Sequence, residues 1–253
     1  MADSRDEPQR APLRVGLLYP LHAAEDDFPR MASALMPPVE VHIAHTESPN
    51  VHEIEASRKT GSREYLSRGC RALLAYDIDV GMWACTSGSF ALGLDGARRQ
   101  AEVLAEELQV PASSTSLAFL SALQELGIGR VAIAATYPQA LSEAFRGFLA
   151  DAGVRVIHIG CLGIRTGDEV GQMERAEVLR FAHANDQPEA DALLIPDTAL
   201  HTVDLVTELE ALTGKTVLTA NQVTLWEALR LAGRVTTQTG FGRLLTETTR
   251  MPG

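Results

Sequence analysis

The residues best suited to chemistry lie together in Ala84-Cys85-Thr86-Ser87-Gly88-Ser89. The apolar run Val80-Gly81-Met82-Trp83 leads into them, and Asp95 onward reads as helix. That is a buried strand delivering a thiol and hydroxyl donors at its C-terminal end, where open α/β sheets place their chemistry. Cys85 is a candidate nucleophile or proton-transfer thiol. Its useful form is the thiolate, favoured when donors or a helix N-terminus pull a thiol below its usual pKa of about 8.5. Thr86, Ser87 and Ser89 are candidates for holding an anion and stabilising enolate-like charge as it develops. Hydroxyl residues after strands also serve simply as turn formers.

A second group closes strands in the latter half. Ala192–Ile195 ends in Pro196-Asp197-Thr198, and Arg130–Ala135 ends in Thr136-Tyr137-Pro138. Asp197 reads either as a general acid or base opposite Cys85 or as the cap of the next turn. Thr198 and Tyr137 join the candidate anion nest. His22 follows the first strand and reaches toward the same place, while His201 sits just behind Asp197, placed to orient it. Asn221 opens the helix after Thr216–Thr219, as ligand contact or as helix cap. Cys70, on the apolar stripe of a helix, and Cys161, in a loop, read as inert thiols.

No Cys-x-x-Cys or His-x-x-x-His pair occurs, so no metal is expected. Gly160-Cys161-Leu162-Gly163 lacks phosphate-loop spacing, and no Gly-x-Gly-x-x-Gly follows the first strand. Nucleotide binding is rejected, and the chemistry is read as needing no cofactor.

The elements that must position these residues alternate. Strands are expected at Leu13–Tyr19, Val39–Ala44, Asp79–Ala84, Val110–Ala112, Arg130–Ala135, Val154–Ile159, Ala192–Ile195 and Thr216–Thr219, with helices between them. One long helix is expected over Glu169–Asn185, and a last one over Gln238–Thr248, packed back on the first half. The polar stretch Thr46–Gly61 reads as a loop or lid beside the site. Strand–helix alternation implies parallel sheets with right-handed crossovers.

The chain also repeats itself. Leu17-Leu18-Tyr19-Pro20 matches Ala134-Ala135-Thr136-Tyr137-Pro138, and Val80–Thr86 matches Leu193–Thr198, setting Cys85 opposite Asp197. Ser116–Leu123 matches Val223–Leu229, each followed by a glycine, Gly127 and Gly233. The repeat predicts an α/β fold of two parallel-sheet lobes related by a pseudo-twofold axis, with a cleft between them. The expected organisation is a disordered leader over 1–11, a first lobe over 12–113 plus 234–253, and a second over 114–233.

The chain has 253 residues, 45 % of them apolar, enough for a sizeable core. Its net charge of −11 argues against nucleic acid, which needs a basic surface. No apolar run approaches the roughly 20 residues that span a membrane, and the polar start has no signal core. A cytoplasmic, soluble protein is expected, with surface helices that leave room for a homodimer.

Five blocks carry a family resemblance: Ala84–Ser89, Ala135-Thr136-Tyr137, Asp197–Leu200, Asn221–Trp226 and Gly240-Phe241-Gly242-Arg243-Leu244. They resemble the aspartate/glutamate racemase superfamily, in its maleate cis–trans isomerase and arylmalonate decarboxylase branch, from about Arg14 to Leu245. The resemblance implies paired flavodoxin-like lobes and cofactor-independent chemistry at carbon beside a carboxylate. It implies two cysteines on opposite faces in racemases and the first cysteine as nucleophile in isomerases. Decarboxylases keep only the second cysteine, with glycine at the first position. This sequence has Cys85 at the first position and Asp197 at the second, an unsymmetrical pair. The expected function is therefore an isomerase or racemase-type enzyme for a small carboxylate, held by Thr86, Ser87, Tyr137 and Thr198 with His22 and Asn221 nearby. The alternatives are a decarboxylase with Asp197 as proton donor, and a non-catalytic binding relative.

Overall fold

The computed structural model describes residues 11–235 and 237–247. The expected leader falls outside the described residues but for Ala11, and so does Thr248 at the end of the expected last helix. The first half runs β1 (Leu13–Pro20), α1 (Asp27–Ala34), β2 (Val39–Thr46), α2 (Ile54–Thr60), α3 (Arg63–Leu73), β3 (Val80–Trp83), α4 (Ser87–Phe90), α5 (Gly93–Leu108), β4 (Ala112–Ser114) and α6 (Thr115–Glu125). The second half runs β5 (Arg130–Ala135), α7 (Gln139–Asp151), β6 (Arg155–Cys161), α8 (Gly167–Gly171), α9 (Arg175–Asn185), β7 (Ala192–Ile195), α10 (Val206–Thr213), β8 (Thr216–Thr219), α11 (Ala220–Leu231) and α12 (Gly242–Glu247).

All pairings are parallel, in two sheets of order β2-β1-β3-β4 and β6-β5-β7-β8. The orders repeat strand for strand, as the internal repeat requires. Alternate residues of each strand face opposite ways. Val80, Met82 and Ala84 of the β3 region enter a core shared by both sheets, together with Val131 and Ile133 of β5. Trp83 and Cys85 face the other way, into the cluster under α3 and α5. Each fully buried Leu or Phe of the shared core contributes about 1.5–3 kcal/mol. The halves are thus joined by burial as well as by chain.

Four details depart from expectation. The polar stretch after β2 contains α2, whose Ser57 and Thr60 are buried. β4 begins after Pro111, which has no N–H to give a ladder. The long helix is two, because a capping box between Glu174 and Glu177 starts α9 afresh. The last helix packs on β8 and α10 of the second half, since the Glu210 carboxylate accepts the Arg243 N–H at 3.0 Å at its start. Gln238, just before it, still reaches the first half by donating to the Met36 carbonyl at 2.7 Å.

Across the junction, Asp27 of α1 is buried and accepts the Thr202 and Val203 N–H groups at 2.9 and 3.2 Å and the Asn221 amide at 3.1 Å. Burial pushes its carboxyl up, and these donors pull against that. Replacing Asp27 by Ala strands the donors, each loss costing about 1–3 kcal/mol. We expect Asp27→Ala to lower stability by about 3 kcal/mol and Tm by roughly 6–12 °C, with Asp27→Asn milder. Calorimetric melting checks this; a drop under about 1 °C would show that the clamp carries little.

Candidate active site

A cleft of about 60 Å³ opens where the strand ends of both sheets converge. Tyr19 lies at the end of β1 and His22 follows it, Cys85 and Ser87 follow β3, Tyr137 follows β5, and Asp197 and Thr198 follow β7. The segment after β2 adds Asn50 and His52, and the start of α8 adds Asp168. No lysine or arginine is among the described residues that line it.

Cys85 is 5 % exposed. The Gly88 N–H donates to its Sγ at 3.3 Å, and Ser87 Oγ lies 3.9 Å away. Position 88 is tight: a Cβ there would stand 3.1 Å from the sulfur and 3.0 Å from the Trp83 ring, so either side chain would have to give by a few tenths of an ångström. The expected depressed pKa is not what the site produces. Burial pushes the thiol up, the Gly88 and Ser87 contacts pull it down, and the charge of Asp197 pushes it up again, to about 12. Desolvation wins over the local donors, so Cys85 rests as a neutral thiol.

Asp197 is 3 % exposed and hydrogen-bonded through both oxygens. The Thr136 hydroxyl donates to one, and the Ala199 N–H to the other at 3.0 Å. Asp197 therefore closes a turn, as one of its two sequence readings holds, and it also lines the cleft. Two tyrosines brace its loop. Tyr137 donates to the Pro196 carbonyl at 2.7 Å, and Tyr19 donates to the Thr198 carbonyl at 3.0 Å while accepting the Ala24 N–H. Burial pushes both phenols well above their usual value.

Of the expected site residues, Cys85, Ser87, Tyr137, Asp197, Thr198 and His22 meet in the cleft. Thr86 and Asn221 do not line it. Thr86 is buried behind the wall, its carbonyl taking the Ser116 hydroxyl at 2.8 Å, and its own Oγ1 finds no well-formed hydrogen bond. Asn221 is committed to Asp27 and the Leu200 carbonyl. Ser89 pairs with Ser114 at 2.8 Å. His201 faces Asp26 at 2.8 Å, away from Asp197.

Sequence reasoning missed Tyr19 as a site residue, although its Tyr-Pro match to Tyr137 marked it. It missed His52, which meets the Tyr137 ring edge-on at 5.1 Å, and no motif signals it. It also missed Gln100 of α5, buried, whose amide donates to the Gly61 and Gly88 carbonyls at 2.8 and 3.0 Å. That side chain ties the end of α2 to the turn presenting Cys85.

A thiol raised this far reacts slowly as a thiolate at neutral pH. In native protein at pH 8, iodoacetamide should label half-exposed Cys161 first and leave Cys85 and Cys70 largely untouched, Cys70 being pushed up to about 12 as well. The Cys85 rate should still climb about tenfold per pH unit between pH 7 and 9.5, since the thiolate fraction does. Peptide mapping by mass spectrometry reads this; a plateau near pH 8.5 would contradict the burial argument.

The chain matches the family model described as arylmalonate decarboxylase over residues 16–245. It is 29 % identical to arylmalonate decarboxylase of Bordetella bronchiseptica over 167 residues, 64 % of this chain and 69 % of that enzyme. The fold is that of the maleate isomerase Iso from Pseudomonas putida S16, with a TM-score of 0.87 and 21 % identity over 93 % of this chain and 99 % of that one. It is also that of a Nocardia farcinica maleate cis-trans isomerase mutant carrying a covalently bound succinylcysteine intermediate. There the TM-score is 0.85 and the identity 24 %, over 93 % of this chain and 98 % of that one. With the family match spanning nearly the whole chain, the protein belongs to the arylmalonate decarboxylase family.

Proposed function

We propose that this protein is a cofactor-independent isomerase of a small aliphatic carboxylic acid, with Cys85 as nucleophile and Asp197 as the opposing acid–base group. The observation that carries the reading is the meeting of a thiol and a carboxylate, from corresponding strand ends of the two sheets, in one small cleft. The succinylcysteine reported for the Nocardia farcinica isomerase supports thiol addition as the first step. Size supports it too. The cleft is small, about 60 Å³, which favours a short acid over one bearing an aryl ring.

The resting thiol is neutral, so the step is a net S–H addition. Asp197 takes the thiol proton, Sγ bonds to one alkene carbon, and Asp197 returns the proton to the neighbouring carbon. The carbon–carbon bond, now single, rotates. Asp197 then removes a proton from the carbon beside the one bonded to sulfur, the C–S bond breaks, and Asp197 passes that proton to the departing sulfur, which restores the thiol and the carboxylate as the trans acid leaves. Ser87 and Thr198, with no cation beside them, hold the carboxylate through hydroxyl and backbone donors.

A second reading has a specific basis in the family match. Decarboxylation of a malonate-type acid would leave an enediolate, which Asp197 would protonate while Cys85 stands by.

The two readings separate in one assay set. Maleate should be converted to fumarate, with Cys85→Ala inactive and Asp197→Asn slowed by about 10²–10⁴. Release of carbon dioxide from malonates, lost in Asp197→Asn and kept in Cys85→Ser, would instead establish the decarboxylase. Full isomerase activity in Cys85→Ala would overturn the mechanism.

A further inference from the structure

At the rim of the cleft, three electron-pair donors converge. His22 Nδ1 lies 2.7 Å, and His45 Nε2 3.2 Å, from the same carboxylate oxygen of Glu25. All three ligand atoms fall within 4.8 Å of one another. The rings lie against each other, centroids 3.9 Å apart and tilted by 37°. The sequence gives no hint of this, since its metal signatures are short spacings. Here the fold supplies the proximity, with His45 on β2 and the other two on the chain leaving β1.

The arrangement is built in place. Tyr19 and His45 are register partners in adjacent parallel strands, so His45 is fixed by the ladder. The Leu21 N–H donates to the Thr46 carbonyl at 3.1 Å and turns the chain back, with Leu21 at φ 56°. That turn lays His22 over His45. The Ala23 N–H holds the other Glu25 oxygen at 2.8 Å, which leaves one oxygen directed at both imidazoles.

We infer that His22, Glu25 and His45 form a binding site for a divalent transition cation of the zinc class. Two imidazoles and a carboxylate are a donor set suited to such ions. Metal bonds of about 2.0–2.2 Å with tetrahedral angles place ligand atoms about 3.3 Å apart. The 2.7 and 3.2 Å contacts to Glu25 open slightly on binding, and the two rings, now 3.9 Å apart, splay to about 5 Å. Each neutral imidazole then carries its proton on the far nitrogen and offers a lone pair here.

His22 and Glu25 line a groove of about 630 Å³ that Asp26 and Asp168 also line, so water can reach the site and the local field attracts cations. His22, Ala23 and Asp168 line both this groove and the Cys85 cleft. The ion therefore sits in the wall between them and sets positive charge at the mouth of a cleft lined by two aspartates. This site stands independently of the reaction proposed for Cys85.

The test is titration of the chelator-stripped, full-length protein with Zn²⁺ by calorimetry, and with Co²⁺ by absorption. One saturable equivalent is expected, with a Co²⁺ spectrum free of thiolate charge transfer. His22→Ala, His45→Ala and Glu25→Gln should each weaken binding by more than the 10–100-fold that loss of an outer-shell partner costs. His183→Ala, on an exposed position of α9, should leave it unchanged. Melting curves without metal verify that the variants remain folded. Absence of saturable binding in the wild type, binding that survives the triple replacement, or a thiolate signature would each overturn the assignment.

Discussion

A buried carboxylate with no lysine or arginine beside it among the described residues is the constraint on which the site depends. Asp197 cannot be left bare, because an uncompensated buried charge costs several kcal/mol. Its neutral environment therefore has to be made of donors: the Thr136 hydroxyl and the Ala199 N–H. Those donors work only if the loop after β7 is held still. Tyr137 and Tyr19 do that from the ends of β5 and β1, by donating to the carbonyls on either side of Asp197. The same charge helps keep Cys85 protonated across the cleft. One carboxylate thus reinforces what burial does to the thiol, and it explains the use of both tyrosines and the shape of the loop.

The fold was largely legible because its signals are local. Buried parallel strands read as short apolar runs, and β5, β7 and β8 have the expected bounds. The repeat made the second sheet a consequence of the first. The places where reading failed are those where tertiary contacts override local pattern. Nothing in Thr46–Gly61 announces α2, whose buried Ser57 and Thr60 are polar. α9 restarts through a capping box that a continuous helical period conceals.

Candidate site residues were legible in the same measure. Cys85, Ser87, Tyr137, Asp197 and Thr198 stand at strand ends, and strand ends converge by topology. Thr86 and Asn221 stand there too, but one turns behind the wall and the other meets Asp27. Which way a side chain turns depends on partners far away in sequence. The same holds for the pKa of Cys85. Neighbouring donors suggest a thiolate, whereas the depth of burial, invisible in a sequence, decides the opposite. Gln100 and His52 act through backbone carbonyls, which no residue pattern encodes.

The segment between β2 and α2 fastens the two halves of the chain to each other. Its His52 N–H donates to the Arg165 carbonyl at 2.7 Å, and its ring donates through Nδ1 to the Ile164 carbonyl at 3.0 Å. Asn50 takes the Gly167 N–H at 3.0 Å. These bonds run from one half of the chain to the other, over the cleft. At roughly 0.5–1.5 kcal/mol each, they contribute on the order of 1.5–4.5 kcal/mol to holding the two halves together beside the cleft. The width of the cleft is thus fixed by three hydrogen bonds that stand apart from the groups that react.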